Sequence, residues 1–485
     1  MKVAGLRFFA RVFRSRRGGC PEPARLRWSH YLFNMGPIMK TLGLLGLTTV
    51  AVAQERQITH APHGHVLTNV NVWSPDGRWL VYDVRSVDST FDGRRIEQVE
   101  VATGKVQVLY EAKNGAVCGV VTYHPHEAKV VFIHGPENPT AEWSYGMTRR
   151  RGAFVDVRRP GEALPLDAMN YAPPFTPGAL RGGTHVHVFS PDGAWVSNTY
   201  EDDVLARLGA ATGEGSERDF NQRNIAVSVP APGANVVRVA RSHPRNHDGD
   251  FFSVIVTRTV NRPKPGSDEI SRAFEEGWVG GVSAEGRRSL AFLGNVTARD
   301  GREHAEVFIA ELPDDLTRVG EAPIEGTATR RPAPPAGVGQ RRLTFTEERK
   351  FRGVATPPRH WLRASPDGTQ IAFLMMDDAG VVQLWLVPAR GGALRQITRN
   401  PSGIASAFTW SPDGRAIAHV MDGGVCVTDV ASGATRRLTS ANAAPALPLA
   451  CVFSPDGRHI AFMRSVAHGG GVFTQIFAVA VAPRE

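Results

Sequence analysis

Short runs of alternating apolar and polar residues recur along this chain, and many of them are interrupted by the same four-residue turn. The turn Ser-Pro-Asp-Gly occurs five times, each time between two runs that alternate with a two-residue period. Proline presets φ at the second position and glycine accepts a left-handed backbone at the fourth, so each copy predicts a β-hairpin. The copies begin at Ser74, Ser190, Ser365, Ser411 and Ser454.

Further strands follow some of these hairpins and complete a four-stranded unit. Segments 383–398 (QLWLVPARGGALRQIT) and 425–439 (VCVTDVASGATRRLT) each place two apolar runs around a glycine-bearing turn. Repeated units of four short antiparallel strands are typical of β-propeller blades. We assign two degenerate repeats, 121–134 and 240–256, as further hairpins. The sequence therefore predicts an all-β propeller with seven blades, six or eight being the alternatives.

The spacing of the repeats leaves one long interval and one incomplete unit. We interpret residues 260–340 or so as a long insert, with Asp268, Glu269, Glu275 and Glu276 on a partly helical surface loop. Within this interval, 289–296 (SLAFLGNV) and 306–313 (EVFIAELP) are predicted strands that can complete a blade. The last unit lacks its fourth strand, whereas residues 55–62 (ERQITHAP) copy the RQIT that ends an earlier unit at 395–398. We therefore expect the N-terminal strand to complete the last blade and remove the open sheet edge.

The first 53 residues have a different composition from the rest. Residues 39–53 combine a lysine, an apolar run and Ala-Val-Ala, the pattern of a secretory signal peptide. Residues 1–38 are interpreted as a disordered upstream extension, and residues 54–485 as a single propeller domain. The apolar run is too short to span a bilayer. We expect a periplasmic protein with no transmembrane segment after cleavage, or a cytoplasmic one if the leader is not functional.

The net charge of +9 does not describe the predicted propeller. Nine of the 56 lysines and arginines, but one of the 47 acidic residues, fall in residues 1–53, so residues 54–485 carry a net charge of about +1. A nucleic-acid-binding protein is expected to carry a basic patch or stripe. The sequence therefore predicts that nucleic acid is not a partner.

The blade motif, W/F-SPDG-x-x-[IL]-A-[FY] followed by LW-[LV] and R-[QR]-LT, resembles the blades of TolB. Longer stretches are similar to an uncharacterised bacterial family of TolB-like propellers labelled "biopolymer transporter Tol". They are FIHGPENP (132–139), PFTPGALRGGTHVHVFSP (174–191), PGSDEI…EEGWVG (265–280), QRRLTFT (340–346) and PRHW (358–361). The resemblance covers residues 56–480 and implies the propeller fold without an activity. A more distant similarity is to oligogalacturonate lyases, seven-bladed propellers in which histidines on inner strands hold a divalent metal.

Candidate site residues follow from the expected position of each strand that precedes a turn. Such a strand should be the innermost of its blade, so residues five positions before each turn serine should form one tier at the channel mouth. Most of this tier is polar, in strands that are otherwise apolar. We interpret it as a ligand-binding tier formed by Asn69, His185, Arg238, His360 and Ser406.

Two histidines stand two residues apart on one of these strands. His185 and His187 should point to the same side, because side chains alternate along a strand. Together with His360 they form a candidate set of ligands for Mn or Zn. An ordinary hydrogen-bonded pair of histidines is the alternative.

Two functions are compatible with this pattern, and the sequence leaves open whether the protein is an enzyme. The first is a monomeric scaffold that binds a peptide, a protein or an acidic glycan at its channel mouth. The second, which the resemblance to oligogalacturonate lyases favours, is a metal-dependent lyase or hydrolase acting on acidic oligosaccharides.

Overall fold

Seven four-stranded antiparallel sheets, arranged in chain order, make up the computed structural model of this protein. The structure describes residues 55–87, 89–212, 218–281, 287–440 and 443–482, so the predicted extension and signal peptide lie outside it. This confirms the all-β propeller with seven blades. None of the helices in the described ranges is long and apolar enough to cross a membrane.

The strands follow one another from the inside of each blade to its outside. Strand β1 (Glu55–Gln57) precedes blade 1, which contains β2 (His65–Val66), β3 (Trp79–Val84), β4 (Arg95–Glu100) and β5 (Val106–Glu111). Blade 2 contains β6 (Cys118–Tyr123), β7 (Lys129–His134), β8 (Arg151–Asp156) and β9 (Leu164–Pro165). A small parallel pair, β10 (Ala168–Met169) and β11 (Ala179–Leu180), comes next. Blade 3 contains β12 (Gly182–Phe189), β13 (Val196–Asp202), β14 (Asn224–Pro230) and β15 (Phe251–Ile255), with helix α1 (Asp203–Thr212) after β13 and a 3₁₀ turn at Pro232–Ala234.

The second half of the chain repeats this order. Blade 4 contains β16 (Ile270–Trp278), β17 (Arg288–Thr297), β18 (Glu303–Leu312) and β19 (Gly339–Arg342). Blade 5 contains β20 (Arg363–Ala364), β21 (Gln370–Met376), β22 (Val382–Pro388) and β23 (Arg395–Gln396). Blade 6 contains β24 (Thr409–Trp410), β25 (Ala416–Met421), β26 (Gly424–Asp429) and β27 (Thr435–Arg437). Blade 7 contains β28 (Ala446–Phe453), β29 (His459–His468) and β30 (Gly471–Ala480).

The recurring turn is held by its own side chains. In the first copy the Ser74 hydroxyl donates to the Asp76 carboxylate at 2.5 Å and accepts from the backbone N–H of Trp79 at 2.9 Å. Gly77 has φ +70°, the left-handed conformation that the fourth position requires. The same serine-to-aspartate bond recurs in the other four copies. Each hairpin is therefore determined by residues within the turn itself.

A tryptophan one position before some turns joins neighbouring blades. The indole N–H groups of Trp73, Trp278 and Trp410 donate to backbone carbonyls of the preceding blade at 3.0–3.1 Å. The acceptors are the equivalent residues Val452, Val188 and Arg363, each on an innermost strand. One buried hydrogen bond of this kind contributes about 1 kcal/mol and sets the position of one blade against the next.

The N-terminal strand closes the ring, as the RQIT repeat predicts. Strand β1 pairs antiparallel with β30 and is the outermost strand of blade 7. The carboxylate of Glu55 accepts two hydrogen bonds, at 2.8 and 3.0 Å, from the guanidinium of Arg464, whose side chain is 3% exposed. The two ends of the described chain therefore share one blade.

The interval predicted to be an insert is instead blade 4. Residues 270–278, assigned to a surface loop with Glu275 and Glu276, form the innermost strand β16. The repeat at 240–256 does not form a hairpin of its own, because Phe251–Ile255 is the outermost strand of blade 3. The predicted number of blades was right, but the first hairpin of blade 4 was placed at 240–256 instead of at β16 and β17. The reason is that the connection between β16 and β17 lacks the Ser-Pro-Asp-Gly sequence.

Candidate functional site

Inner strands of distant blades contact each other across the central channel. The guanidinium of Arg363, on β20 of blade 5, donates a hydrogen bond to the side-chain carbonyl of Asn69, which lies between β2 and β3 of blade 1. Blades 1 and 5 are not neighbours in a seven-bladed ring, so this bond crosses the axis. Asn69, predicted as a ligand-binding residue, therefore lies at the channel.

His185 lies in the same region, surrounded by arginines. It is half-buried on β12. Burial lowers its pKa well below the usual value, and the charges of Arg150, Arg359 and Arg223 lower it further. These arginines come from blades 2, 5 and 3, so three blades direct positive charge at one neutral imidazole.

The positive charge in this cluster exceeds the negative charge. Two of its arginines are paired with carboxylates, Arg223 with Glu201 at 2.6 Å and Arg359 with Glu275 at 2.8 Å. Three further arginines make no ion pair with a carboxylate among the described residues, and they are Arg150, Arg272 and Arg363. We call the five arginines, His185 and Asn69 the arginine cluster. It presents an excess of donors that suits an anionic ligand.

Glu276 adds a carboxyl group that does not neutralise the cluster. Its side chain is 2% exposed, and neither carboxyl oxygen has a hydrogen-bond partner among the described residues. Burial, with a smaller contribution from Glu275, raises the pKa of Glu276 to about 8. Glu276 is therefore largely protonated at pH 7 and can donate a hydrogen bond. The charge of Arg363 opposes this rise in the pKa of Glu276, and the Nε of Arg363 is buried with no hydrogen-bond partner among the described residues.

His185 and His187 do not share one environment, because the strand between them is irregular. Val186 has φ +55°, and the pairing of β12 with β13 shifts by one residue between His185 and Val188. Such a β-bulge breaks the two-residue alternation on which the predicted common face depends. The ring of His187 is fully buried against Gly152 of blade 2, and its Nε2 hydrogen-bonds the Thr184 hydroxyl at 2.9 Å.

His360 has a structural role in the ring. Its Nδ1–H donates to the carbonyl of Pro358 at 2.9 Å, and its Nε2 accepts from the backbone N–H of Leu374 at 3.2 Å. Ser406 does the same one blade later, where its hydroxyl accepts from the N–H of Val420 at 2.7 Å. Both side chains accept a hydrogen bond from a backbone N–H of the second strand of the blade, at a point where the short inner strand offers no backbone carbonyl.

The predicted metal ligands therefore do not form a metal site. A metal would need a nitrogen lone pair from each histidine, and both nitrogens of His360 are already bonded to the backbone. The described residues contain no group of three or more His, Cys, Asp or Glu side chains placed to hold a metal ion. The set His185, His187 and His360 does not fit Mn or Zn.

Arg238 lies away from the channel. It falls between β14 and β15 on the outer side of blade 3. Its side chain is 81% exposed and lies 3.6 Å from the carboxylate of Asp248. Its placement in the predicted tier is wrong because that prediction treated 240–256 as a hairpin.

The opposite mouth of the channel is apolar. A cavity of about 310 Å³ is lined by Trp73, Tyr123, Trp410 and Phe453 together with turn prolines from five blades. These prolines are Pro75, Pro125, Pro366, Pro412 and Pro455. The polar groups of the channel are thus concentrated at the arginine cluster.

Most of the arginine cluster was not found from the sequence. Its arginines lie in connections or in strands outside the predicted tier, and Glu276 was assigned to an insert. One signal was available: Trp278 in EEGWVG occupies the same place as Trp73 and Trp410, one position before a hairpin turn. Aligning on that tryptophan would have identified β16 as an inner strand.

Comparisons with known proteins agree with this architecture. Residues 117–247 match the family described as "Protein of unknown function (DUF3748)". The Uncharacterized protein YidR of Escherichia coli (strain K12) is 47% identical over 411 residues, which cover 84% of this chain and 94% of that protein.

Two solved structures of oligogalacturonate lyases share the fold at low sequence identity. The enzyme from Vibrio parahaemolyticus is 9% identical with a TM-score of 0.51, covering 90% of this chain and 95% of that one. An oligogalacturonate lyase in complex with manganese is 10% identical with a TM-score of 0.52, covering 89% and 93%. At these identities the likeness concerns the fold alone.

Proposed function

This chain belongs to the same family of TolB-like propellers as YidR of E. coli, and we propose that it is a scaffold that binds an acidic ligand at one mouth of its channel. The proposal rests on the arginine cluster. The ligand carries carboxylates and is an acidic glycan, a peptide or an acidic segment of a protein. We further propose that the protein acts in the periplasm after removal of residues 39–53.

One observation carries this proposal. Three arginines direct their charge at the neutral His185, and in the whole cluster of five arginines two carboxylates form ion pairs while a third carboxyl group, Glu276, is largely protonated at pH 7. Buried cations without matching anions are unfavourable unless a ligand supplies the opposite charge. Arginine is also suited to binding carboxylates through two parallel hydrogen bonds.

Calorimetric titration of the full chain tests the proposal. We expect trigalacturonate, or a peptide with a free C-terminal carboxylate, to bind, and maltotriose or the amidated peptide not to bind. Arg363→Gln should weaken binding about tenfold or more, the loss expected for a hydrogen bond to a charged group. Arg238→Gln is the matched control and should leave binding unchanged, because Arg238 is exposed on the outside of blade 3.

Two results would contradict this function. One is the absence of binding to every acidic probe, and the other is equal affinity of Arg363→Gln and the wild type. Incubating the trigalacturonate with the protein, with and without Mn²⁺, and measuring chain cleavage tests the lyase or hydrolase alternative. No contact among the described residues favours that alternative.

A further inference from the structure

A second cavity lies on blades 2 and 3, apart from the arginine cluster. It has a volume of about 230 Å³ and is bounded by the β7–β8, β10–β11 and β14–β15 connections. Its walls include Trp143, Arg151, Tyr171 and Arg245. We call it the Trp143 pocket. All of its lining residues fall within 117–247, the segment that matches the family profile.

One side of the pocket is aromatic. The rings of Trp143 and Tyr171 meet edge to face, with centroids 4.9 Å apart and planes at 82°. The guanidinium groups of Arg149 and Arg245 lie 4.8 and 6.0 Å from the centre of the Trp143 ring. Cation–π contacts of this kind hold the indole in place. The pocket therefore has a fixed aromatic wall against which a planar group can lie.

Arg151 supplies a cation that the protein leaves incompletely paired. Its Nη1 donates to His247 Nε2 at 3.3 Å, and His247 Nδ1–H donates to the carbonyl of Arg245 at 3.2 Å. Burial lowers the pKa of His247 to about 3, so this imidazole is neutral and provides no negative charge. The carboxylate of Glu137 is 3.9 Å away, and Arg151 Nε has no hydrogen-bond partner among the described residues.

The hydroxyl of Tyr171 is a second donor. It makes no hydrogen bond to any described residue, although Tyr171 is 5% exposed. Burial raises its pKa, so the hydroxyl keeps its proton. Tyr171 and Arg151 both line the pocket, so one small ligand can reach both donors. Lining arginines outnumber lining carboxylates by three to one.

We propose that the Trp143 pocket binds a small planar molecule bearing a carboxylate or phosphate group, with its ring on Trp143 and its oxyanion on Arg151 and Tyr171. The ligand is small because pockets for drug-sized molecules occupy about 300–1,000 Å³, more than this cavity provides. This site is independent of the function proposed for the arginine cluster.

Calorimetric titration of the full chain with benzoate and with phenyl phosphate tests the proposal and distinguishes the two oxyanions. Benzamide is the neutral control and should not bind. We expect Arg151→Gln to weaken binding of the preferred probe about tenfold or more, and Tyr171→Phe to weaken it about fivefold, as losses of charge-assisted hydrogen bonds. Melting curves of both variants verify that they fold.

The matched controls are two residues outside the pocket. Tyr145→Phe changes a tyrosine that stacks on Phe91 with centroids 4.5 Å apart, and Arg363→Gln changes the arginine cluster. Both should bind the probe with wild-type affinity. The proposal fails if neither probe binds, if benzamide binds equally well, if folded Tyr171→Phe and Arg151→Gln retain wild-type affinity, or if Arg363→Gln alone abolishes binding.

Discussion

The protonated state of Glu276 makes a quantitative prediction about stability. Glu276→Gln replaces a buried, unpartnered carboxyl group with a neutral amide of the same shape. In the folded protein burial raises the pKa of Glu276 from 4.5 to about 8. Between these two pH values the folded chain retains a proton that the unfolded chain has released.

The sign and size of the effect follow from this proton difference. The stabilisation that Glu276 provides through its proton is complete below about pH 4.5 and is lost as the pH rises to about 8. The folded and unfolded pKa values of Glu276 differ by about 3.5, and each pH unit is worth about 1.4 kcal/mol, so the free energy of unfolding changes by at most about 5 kcal/mol. The glutamine does not titrate, so Glu276→Gln should match the wild type at about pH 5 and exceed it by several kcal/mol at about pH 8.5.

Urea unfolding, followed by circular dichroism across this pH range, measures the difference directly. Other titrating groups contribute equally to both proteins and cancel in the comparison. Glu275→Gln is the matched control: it removes the carboxylate paired with Arg359 at 2.8 Å and should show no stability gain at high pH. If the wild type and Glu276→Gln lose stability in parallel between about pH 5 and pH 8.5, the carboxyl group is ionised in the folded state and the reasoning is wrong.

Two further predictions concern the ring itself. Glu55→Gln should lower the free energy of unfolding by about 2–3 kcal/mol, because it leaves the buried Arg464 without its carboxylate. The control Glu100→Gln breaks an exposed ion pair with Arg78 and should lower it by less than about 1 kcal/mol. Equal losses in the two variants would contradict the role of the closing strand. His360→Phe should lower the free energy of unfolding by about 1–3 kcal/mol, because it leaves the Leu374 N–H without an acceptor. Mass spectrometry should show the same metal content for the variant and the wild type. If the variant instead lacks one metal ion that the purified wild type contains, the histidines bind a metal after all.

Local chemistry made much of the fold predictable. The serine, proline, aspartate and glycine of each turn interact within four or five residues, so their geometry does not depend on the rest of the chain. Repetition of these turns led to the blade count, and the RQIT copy near the N-terminus identified the closing strand. The inner strand of blade 4 was assigned to a surface loop because its hairpin uses different turn residues, although Trp278 marks that strand.

The site depended on distances that no local pattern encodes. Asn69 and His185 were singled out from their spacing to a turn, but Arg363 contacts Asn69 from blade 5, and Arg150 and Arg359 act on His185 from outside blade 3, so these groups meet only when the ring closes. The bulge at Val186 interrupts the regular alternation between His185 and His187, and the backbone bonds of His360 take up both nitrogens that a metal would need. Turn residues act on their own neighbourhood, whereas strand register, bulges and ring closure decide which side chains face one channel.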